Sequence, residues 1–401
     1  MKKNIIHCDL NNFFASVEAI DEPEYKNRPF AVCGSIENRH GIILAKNELA
    51  KKAGITTGMT LSKAKNLCKD LITAESNYNK YLIYSKKVRD IYEQYTDKIE
   101  SFGIDEAWLD LSDLKENPFN IALKIKEQVK NELNLTISVG ISFTKPFAKL
   151  ASELKKPDGI TVIDKSNYKR ILYKRDVGDL LFVGKKIKKK LNDINIFTIG
   201  ELANASPLLL ATTLGKWGSV LYSFANATDN EKVVPNTIEE PAKSIGNSTT
   251  SYRDLENNDD IDILFRTLAE SVVERTLSSG FSNPSTLSIT IKDNKLNSFT
   301  KNTSLTGCVL TVKNIHIQAF SLFKDSYSWE NPVRALGITL SGFNKNEKDT
   351  VLDKNSKKQR DLENAILKLS KKFGKNTVKS GISLIDKKLV DQNFHDKGIS
   401  D

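Results

Sequence analysis

The fold is decided near the start of the chain, where residues 4–20 read NIIHCDLNNFFASVEAI. Residues 4–8 form a short apolar run with β-branched side chains, which predicts a buried strand that ends at Asp9. Asn11 and Asn12 follow it and precede an apolar helical stripe, so they are predicted to cap a helix. Asp9 is therefore expected at the C-terminal edge of a strand.

Strand and helix patterns alternate further along the chain. Helices are predicted from residues 77 and 118, and strands at 99–102, 107–111 and 136–141. This order of strand, helix, two strands, helix and strand is that of a ferredoxin-like sheet. Short strands and helices between residues 30 and 68 interrupt it after the first strand. The fold class is therefore expected to be α+β, with more than one domain.

The second half of the chain has a different character. Beyond about residue 167 the pattern is helical and punctuated by glycine, and a polar, proline-marked linker at 236–242 precedes a second α/β segment. Residues 361–373 form one amphipathic helix. Residues 145–190 contain fourteen basic and five acidic side chains, a net charge of +9. Such a run favours a polyanionic partner, with a solvated helix face as the alternative interpretation.

Composition excludes several protein classes. Charged residues make up 27% and hydrophobic residues 39% of the chain, which is typical of globular proteins and not of disordered or collagenous ones. No stretch reaches the ~18 apolar residues of a membrane span, and no signal peptide is evident, so a cytoplasmic protein without a membrane partner is expected. The four cysteines lie far apart without a CxxC pair, which argues against a zinc site or a disulfide framework.

Three acidic side chains are expected to meet in the predicted sheet. Asp105 and Glu106 lie at the bend between two strands, and the βαββ order allows the first and third strands to be neighbours of one another. Carboxylates that converge with Asp9 would need a hard cation, Mg²⁺ or Mn²⁺. In a regular strand Asp105 and Glu106 would face opposite sides, so the bend must re-aim one of them. For each acid taken alone, a turn or capping role is the alternative.

Two segments then carry a family resemblance. Residues 8–18, CDLNNFFASVE, and residues 101–110, SFGIDEAWLD, resemble the paired catalytic motifs of Y-family DNA polymerases, in their bacterial DNA polymerase IV branch. The resemblance implies a right-hand polymerase with a ferredoxin-like palm, inserted fingers, a helical thumb with a helix-hairpin-helix, and an α/β little finger domain. The implied boundaries are palm 1–10 and 76–168, fingers 11–75, thumb 169–235, linker 236–242, little finger 243–345, and a C-terminal tail with one helix, 346–401.

The resemblance also implies the activity. A primer 3′-hydroxyl attacks a deoxynucleoside triphosphate opposite a DNA template, with positioning and charge neutralisation supplying most of the rate. Asp9, Asp105 and Glu106 are implied to be catalytic and, with the backbone carbonyl of Leu10, to ligate two Mg²⁺ ions, Mn²⁺ being the other candidate. Low-fidelity translesion synthesis by a nucleoid-associated monomer is expected. No exonuclease-like acidic cluster is evident elsewhere, so proofreading is not expected.

The nucleotide site is implied at Phe13, Phe14, Lys51 and Lys156. Phe14 occupies the steric-gate position, where a ring leaves no room for a ribose 2′-hydroxyl, and a plain core phenylalanine is the alternative. Lys51 and Lys156 match the phosphate-contacting positions. The sequence departs from the family pattern in two places, since Glu48 stands where relatives usually have tyrosine and Lys51 where they have arginine. A lysine loses the bidentate fork of arginine, and a carboxylate near a triphosphate repels it.

Contacts with DNA are implied in both halves of the chain. Residues 182–191, FVGKKIKKKL, resemble the helix-hairpin-helix of the thumb, where a glycine lets backbone N–H groups approach phosphate. The implied contact residues are Gly184, Lys185, Lys186, Lys188, Lys243 and Ser244. Residues 349–353, DTVLD, lie where such polymerases keep a sliding-clamp peptide but lack its usual glutamine and aromatic residue, so clamp binding is a hypothesis.

Two other functions fit parts of this pattern. A catalytically weak or silent DNA-binding homologue is suggested by Glu48 and Lys51. A palm-domain nucleotide cyclase also uses a ferredoxin-like sheet, paired acids and two metal ions, although the inserted fingers and the basic helical domain argue against it. Primer extension with Mg²⁺ separates the three, because only a polymerase lengthens a primer and only a cyclase makes cyclic product without DNA.

Overall fold

The structure is a computed structural model that describes residues 3–35, 41–235, 241–281, 283–305, 309–343, 354–373, 378, 381 and 386–390. The chain divides into two compact units, residues 1–34 with 42–239, and residues 240–401 with 35–41. Within the described ranges, no helix has the length and hydropathy that crossing a bilayer requires.

The first unit contains most of the predicted elements. In chain order these are β1 (Ile5–Leu10), α1 (Phe13–Asp21), β2 (Phe30–Cys33), β3 (Ile43–Lys46), α2 (Glu48–Lys52), α3 (Leu61–Leu67), β4 (Ile72–Glu75), α4 (Tyr78–Glu93), β5 (Ile99–Ser101), β6 (Glu106–Asp110), α5 (Pro118–Leu133), β7 (Ile137–Ser142), α6 (Lys145–Leu154), β8 (Ile160–Val162), α7 (Tyr168–Leu172), α8 (Lys185–Asn192), α9 (Ile199–Asn204), α10 (Pro207–Leu214) and α11 (Lys216–Ala225). Short 3₁₀ turns lie at Pro23–Lys26 and Val177–Asp179.

The ferredoxin-like sheet is confirmed. Its strand order is β5-β6-β1-β7-β8, and central β1 runs antiparallel to both β6 and β7. All six residues of β1 are buried because helices cover both faces of the sheet. Ile6 and Cys8 join the core that α4 and α5 complete, whereas Ile5 packs against Trp108 and Ala148 of α6. Strand side chains alternate, so Asp9 lies on the same face as Ile5, the face that α6 covers.

The inserted segment after β1 forms a small sheet of its own. Strand β2 is central, with β3 antiparallel on one side and β4 parallel on the other. Helices α2 and α3 pack on it through a small core that includes Ala31, Ile43 and Leu61. The sequence patterns did not predict β4, because its four residues are mostly half-exposed and carry no buried run.

Helices α7 to α11 form the helical part of this unit, around a core that includes Leu172, Leu191 and Leu221. Gly215, with φ 59°, ends α10 and begins α11, a left-handed conformation that other residues adopt at a cost. This cluster continues into α6 through Phe147, so the helical part packs against the helix that covers the face of the sheet that carries Asp9.

The second unit is an antiparallel α/β layer. Its elements are β9 (Ser244–Leu255), α12 (Asn258–Ser278), β10 (Thr286–Asp293), β11 (Ser298–Ser304), α13 (Val312–Ser326), β12 (Val333–Ser341), α14 (Lys354–Phe373) and α15 (Lys387–Val390). The strand order is β11-β10-β12-β9, which leaves β9 at an edge, and α12 and α13 contribute to one core with the sheet. Helix α14 begins seven residues before the predicted helix at 361–373. The predicted clamp peptide, 349–353, lies outside the described residues.

Candidate active site

The structure brings the three predicted acids together. In the β1–β6 pair Asp9 lies directly opposite Glu106, so both side chains project from the same face of the sheet. The backbone N–H of Leu10 donates to the carbonyl of Asp105 at 3.0 Å, which ties the bend to the end of β1. Asp9, Leu10, Asp105 and Glu106 all line one pocket with a volume of about 360 Å³.

The bend allows Asp105 and Glu106 to face the same pocket, although neighbouring residues of a regular strand would face opposite sides. Asp105 precedes β6 and is not part of a regular strand, so it need not face away from its neighbour Glu106. Gly103, with φ 88°, makes the reversal that allows this. Helix α4 holds the bend, because Ser85 donates a hydrogen bond to the carbonyl of Ile104 and Arg89 donates to that of Gly103 at 3.1 Å. No sequence motif identified either of these two α4 residues.

A buried histidine stands behind the acids. His7 is fully buried on the face of Asp9, and its Nε2 lies 3.1 Å from Oε2 of Glu106 without a hydrogen bond of good geometry among the described residues. Its Nδ1 lies 2.9 Å from the hydroxyl of Ser152 in α6. Burial lowers the pKa of His7 to about 4, so the ring is neutral at pH 7.

Two lysines contact the carboxylates. Nζ of Lys156 lies 2.8 Å from Oδ2 of Asp9, and Lys149 pairs with Glu106. Burial raises the pKa of Asp9 to about 7, although the ion pair with Lys156 opposes it. Burial also favours neutral Glu106, but the contacts with His7 and Lys149 outweigh it and lower the pKa of Glu106 to about 2. The pKa values of these two carboxylates, which lie on neighbouring strands, are thus shifted in opposite directions.

The donor set fits a divalent cation. Burial, followed by the charge of Glu106, raises the pKa of Asp105, so ionised Asp105 is destabilised here and a bound cation would stabilise it. Atoms of His7, Asp9 and Glu106 that can act as ligands all lie within 4.8 Å of one another. Two of these three atoms are carboxylate oxygens, the hard ligands that Mg²⁺ and Mn²⁺ prefer, whereas Asp105 lines the same pocket without belonging to this group.

The two asparagines after β1 do not act as the predicted cap. Asn12 occupies the predicted N-cap position of α1, but it has φ 50° and its side chain makes no capping hydrogen bond. Its amide instead donates to Oε1 of Glu48 at 3.2 Å. Asn11 accepts from the backbone N–H of Asp158 at 2.8 Å and so fastens the loop that carries Lys156 beside Asp9.

The structure separates the predicted nucleotide residues into two groups. Phe13, Phe14 and Lys156 line the pocket, and the ring of Phe14 stacks on Tyr81 with centroids 4.1 Å apart and planes 12° apart. Lys51 is not among the described residues that line it. Its side chain is 58% exposed, and its Nζ lies 3.7 Å from Glu48.

The predicted DNA-binding residues lie on exposed surfaces of the two units. Gly184 precedes α8 at its exposed start, and Lys185 and Lys186 are also exposed. Lys188 is half-buried and pairs with Asp176 at 2.7 Å. Lys243 and Ser244 are exposed at the start of β9, the edge strand of the second unit.

Comparison with known proteins matches both units. A model described as the impB/mucB/samB family matches residues 8–153, and one described as the C-terminal domain of that family matches residues 242–362. The chain is 44% identical to DNA polymerase IV of Acetivibrio thermocellus over 97% of its own length and 99% of the relative's. It is 34% identical to DNA polymerase IV 1 of Bacillus subtilis over 95% of its own length and 93% of the relative's.

A solved structure shares the fold. A Y-family DNA polymerase chimera of Dbh and Dpo4 superposes with a TM-score of 0.75 at 22% identity, covering 85% of this chain and 99% of the chimera. The chain thus has the architecture that the sequence motifs implied, with a palm, inserted fingers, a helical thumb and a little finger. The chain belongs to the Y-family of DNA polymerases, in the bacterial DNA polymerase IV branch.

Proposed function

We propose that the chain is a DNA-directed DNA polymerase that extends a primer 3′-hydroxyl with deoxynucleotides by two-metal-ion nucleotidyl transfer. The observation that carries the proposal is the convergence of Asp9, Asp105 and Glu106 in one pocket. Relatives named DNA polymerase IV, which align with nearly the whole chain, support the reaction class.

The metal-binding role rests on the carboxylates. Asp9, Asp105, Glu106 and the carbonyl of Leu10 would hold the ions, because these oxygens share the pocket and the burial of Asp9 leaves its charge costly without a cation. Bound divalent ions would activate the primer hydroxyl and neutralise the charge that develops on the phosphates. Lys156, which contacts Asp9, would then be available to the phosphates of the nucleotide.

Selection of the sugar is assigned to Phe14. Its ring lines the pocket and is fixed in orientation by stacking on Tyr81, which itself is fully buried and donates a 2.6 Å hydrogen bond to Glu18. A ring held in this way cannot easily move aside for a 2′-hydroxyl, so deoxynucleotides are preferred. This geometry favours the steric gate over a plain core role.

The grip on primer-template DNA is assigned to the thumb and the little finger. Exposed Gly184, Lys185 and Lys186 at the start of α8 offer backbone N–H groups and positive charge to phosphate. Lys188, Lys243 and Ser244 would add contacts with the phosphate backbone of the DNA, which do not depend on its sequence.

Low fidelity and lesion bypass are part of the proposal. From the inserted sheet and its loops, the described residues that line the pocket are Leu44, Ala45, Lys46 and Thr57. None of these four side chains has a large rigid ring, so they give a weak steric check on the shape of the new base pair. A protein of this kind is expected to extend primers past damaged bases and to lack proofreading.

Primer extension with Mg²⁺ tests the function. Wild-type protein should lengthen a primer on undamaged and abasic templates, whereas Asp9→Asn, Asp105→Asn and Glu106→Gln should lose extension and keep DNA binding. The control is Asp70→Asn, at an exposed turn position of the fingers. Extension by all three variants would refute the assignment, and wild-type protein that binds DNA without extending it would identify a silent homologue.

A further inference from the structure

A lysine that no sequence motif identifies lines the pocket from the fingers. Lys46 is the last residue of β3 and is half-buried. It shares its side of the pocket with Leu44, Ala45 and Thr57, and its Nζ lies 3.3 Å from the hydroxyl of Thr57. The pocket therefore presents a cation on the fingers side as well as Lys156 on the palm side.

The neighbouring charges are already engaged with one another. Glu48 accepts a hydrogen bond from Asn12 and lies 3.7 Å from Nζ of Lys51, and neither Glu48 nor Lys51 is among the described residues that line the pocket. Lys156 is paired with Asp9 and with Glu153. Lys46 forms no ion pair with a carboxylate among the described residues, where its Nζ donates a hydrogen bond to the hydroxyl of Thr57.

A bound anion would stabilise the positive charge of Lys46. Burial lowers the pKa of Lys46, the positive charge of Lys51 lowers it further, and Glu48 opposes the two. A cation that is held next to another cation in a partly desolvated position is stabilised when an anion enters, because the anion relieves both unfavourable terms. Asp9 and Glu106 of the palm are paired with Lys156 and Lys149, so an anionic ligand is the partner that we expect for Lys46.

We propose that Lys46 binds the triphosphate of the incoming nucleotide from the fingers side, as the cation that faces Lys156 across the pocket. The inference rests on the proposed polymerase function and deepens it. In this chain the fingers-side phosphate contact thereby moves from position 51, at the exposed end of α2, to the end of β3. The substitutions at positions 48 and 51 then form a consistent set, because Glu48 neutralises Lys51 and the cation for the phosphates is supplied by Lys46.

Steady-state primer extension on the full chain tests this. Lys46→Met should raise KM for each deoxynucleotide by about tenfold or more, as expected for the loss of one charge-assisted contact, whereas Lys46→Arg should restore most of the affinity. Lys52→Met is the matched control, since it removes a neighbouring exposed lysine with the same change in net charge. Lys51→Met ranks the two positions, and the greater increase in KM is expected for Lys46→Met.

Inorganic triphosphate provides a readout of the phosphate contact alone. It should inhibit wild-type extension in competition with deoxynucleotides, and Lys46→Met should weaken that inhibition by a similar factor. Equal KM values for wild type and Lys46→Met would overturn the inference, and so would equal increases in KM for Lys46→Met and Lys52→Met. In either case, primer extension by wild type would leave the proposed function intact. Absence of wild-type extension would refute the proposed function itself.

Discussion

Removal of the charge of Asp9 should stabilise the metal-free protein. Asp9 is 6% exposed, and burial is the largest of the effects that raise its pKa from the ordinary 3.8 to about 7. A carboxylate in this state makes folding less favourable wherever the unfolded chain is already ionised. Asp9→Asn keeps the shape of the side chain and removes the charge, so it should relieve that cost.

The size and the sign follow from the two pKa values. The unfolded chain releases the proton at about pH 4, whereas the folded chain keeps it until about pH 7, so the cost grows with pH between these values and then stays constant. At about 1.4 kcal/mol per pH unit, the cost reaches about 4 kcal/mol above pH 7 and only about 1.5 kcal/mol at about pH 5. The pKa already includes the opposing effect of Lys156, so loss of that contact is not subtracted again and the gain should be about 4 kcal/mol at about pH 8.

Urea denaturation in the presence of a chelator measures this gain. Trp108 is 2% exposed, and its ring centroid lies 5.2 Å from that of His7, so its fluorescence reports unfolding around the site when Trp217 and Trp329 are replaced by phenylalanine. Wild type, Asp9→Asn and the exposed control Asp70→Asn should be compared at about pH 5 and about pH 8. Addition of Mg²⁺ should then raise the midpoint of wild type and have a much smaller effect on Asp9→Asn, because ligand binding stabilises only the folded state that binds it.

Two results would refute this reasoning. Asp9→Asn could prove less stable than wild type at the higher pH without metal, which would mean that Asp9 is not held at an electrostatic cost. The gain could also be the same at both pH values, which would mean that it arises from packing and not from ionisation.

Three further predictions concern other residues of the proposed machinery. Without metal, wild type should lose stability between about pH 6.5 and pH 4, because the unfolded chain binds a proton at His7 that the folded chain, with its lowered pKa, does not bind; His7→Gln should reduce this loss by up to about 3 kcal/mol. Urea denaturation across this range checks the prediction. The same dependence of stability on pH in wild type and variant would contradict it. Phe14→Ala should raise the incorporation of ribonucleotides relative to deoxynucleotides by about tenfold to a hundredfold, and unchanged discrimination in primer extension would leave only a core role for the ring. Lys185→Gln combined with Lys186→Gln should reduce the salt dependence of DNA binding by a slope of about 2, and an unchanged slope would remove α8 from the DNA contact.

The sequence predicted the parts of the fold that depend on local patterns. Neighbouring residues are enough to identify the apolar run before Asp9, the bend at Asp105 and the helical stripes of α4 and α5. The ferredoxin-like order of strands and helices follows from these local patterns. Strand β4 was missed because its pairing with β2 spans some forty residues of chain and leaves little trace in its own four side chains.

The sequence could not predict how side chains far apart in the chain contact one another. Ser85 and Arg89 reach the bend from α4, and Asn11 fastens the loop of Lys156, through hydrogen bonds that no local spacing specifies. The position of Lys46 in the pocket could not be predicted, because a lysine at the end of a short strand ordinarily faces solvent. A signal did exist for Ser85, a polar residue on the buried stripe of α4, where a serine needs a hydrogen-bond partner.

The central claim is that Asp9, Asp105 and Glu106 together hold two divalent ions. The most direct measurement counts Mn²⁺ bound to the full chain by electron paramagnetic resonance, with a dideoxy-terminated primer, a template and the correct nucleotide present. Two ions per chain in wild type, and loss of at least one in Asp105→Asn, are predicted. A single ion or none in wild type, or an unchanged count in the variant, would contradict the account.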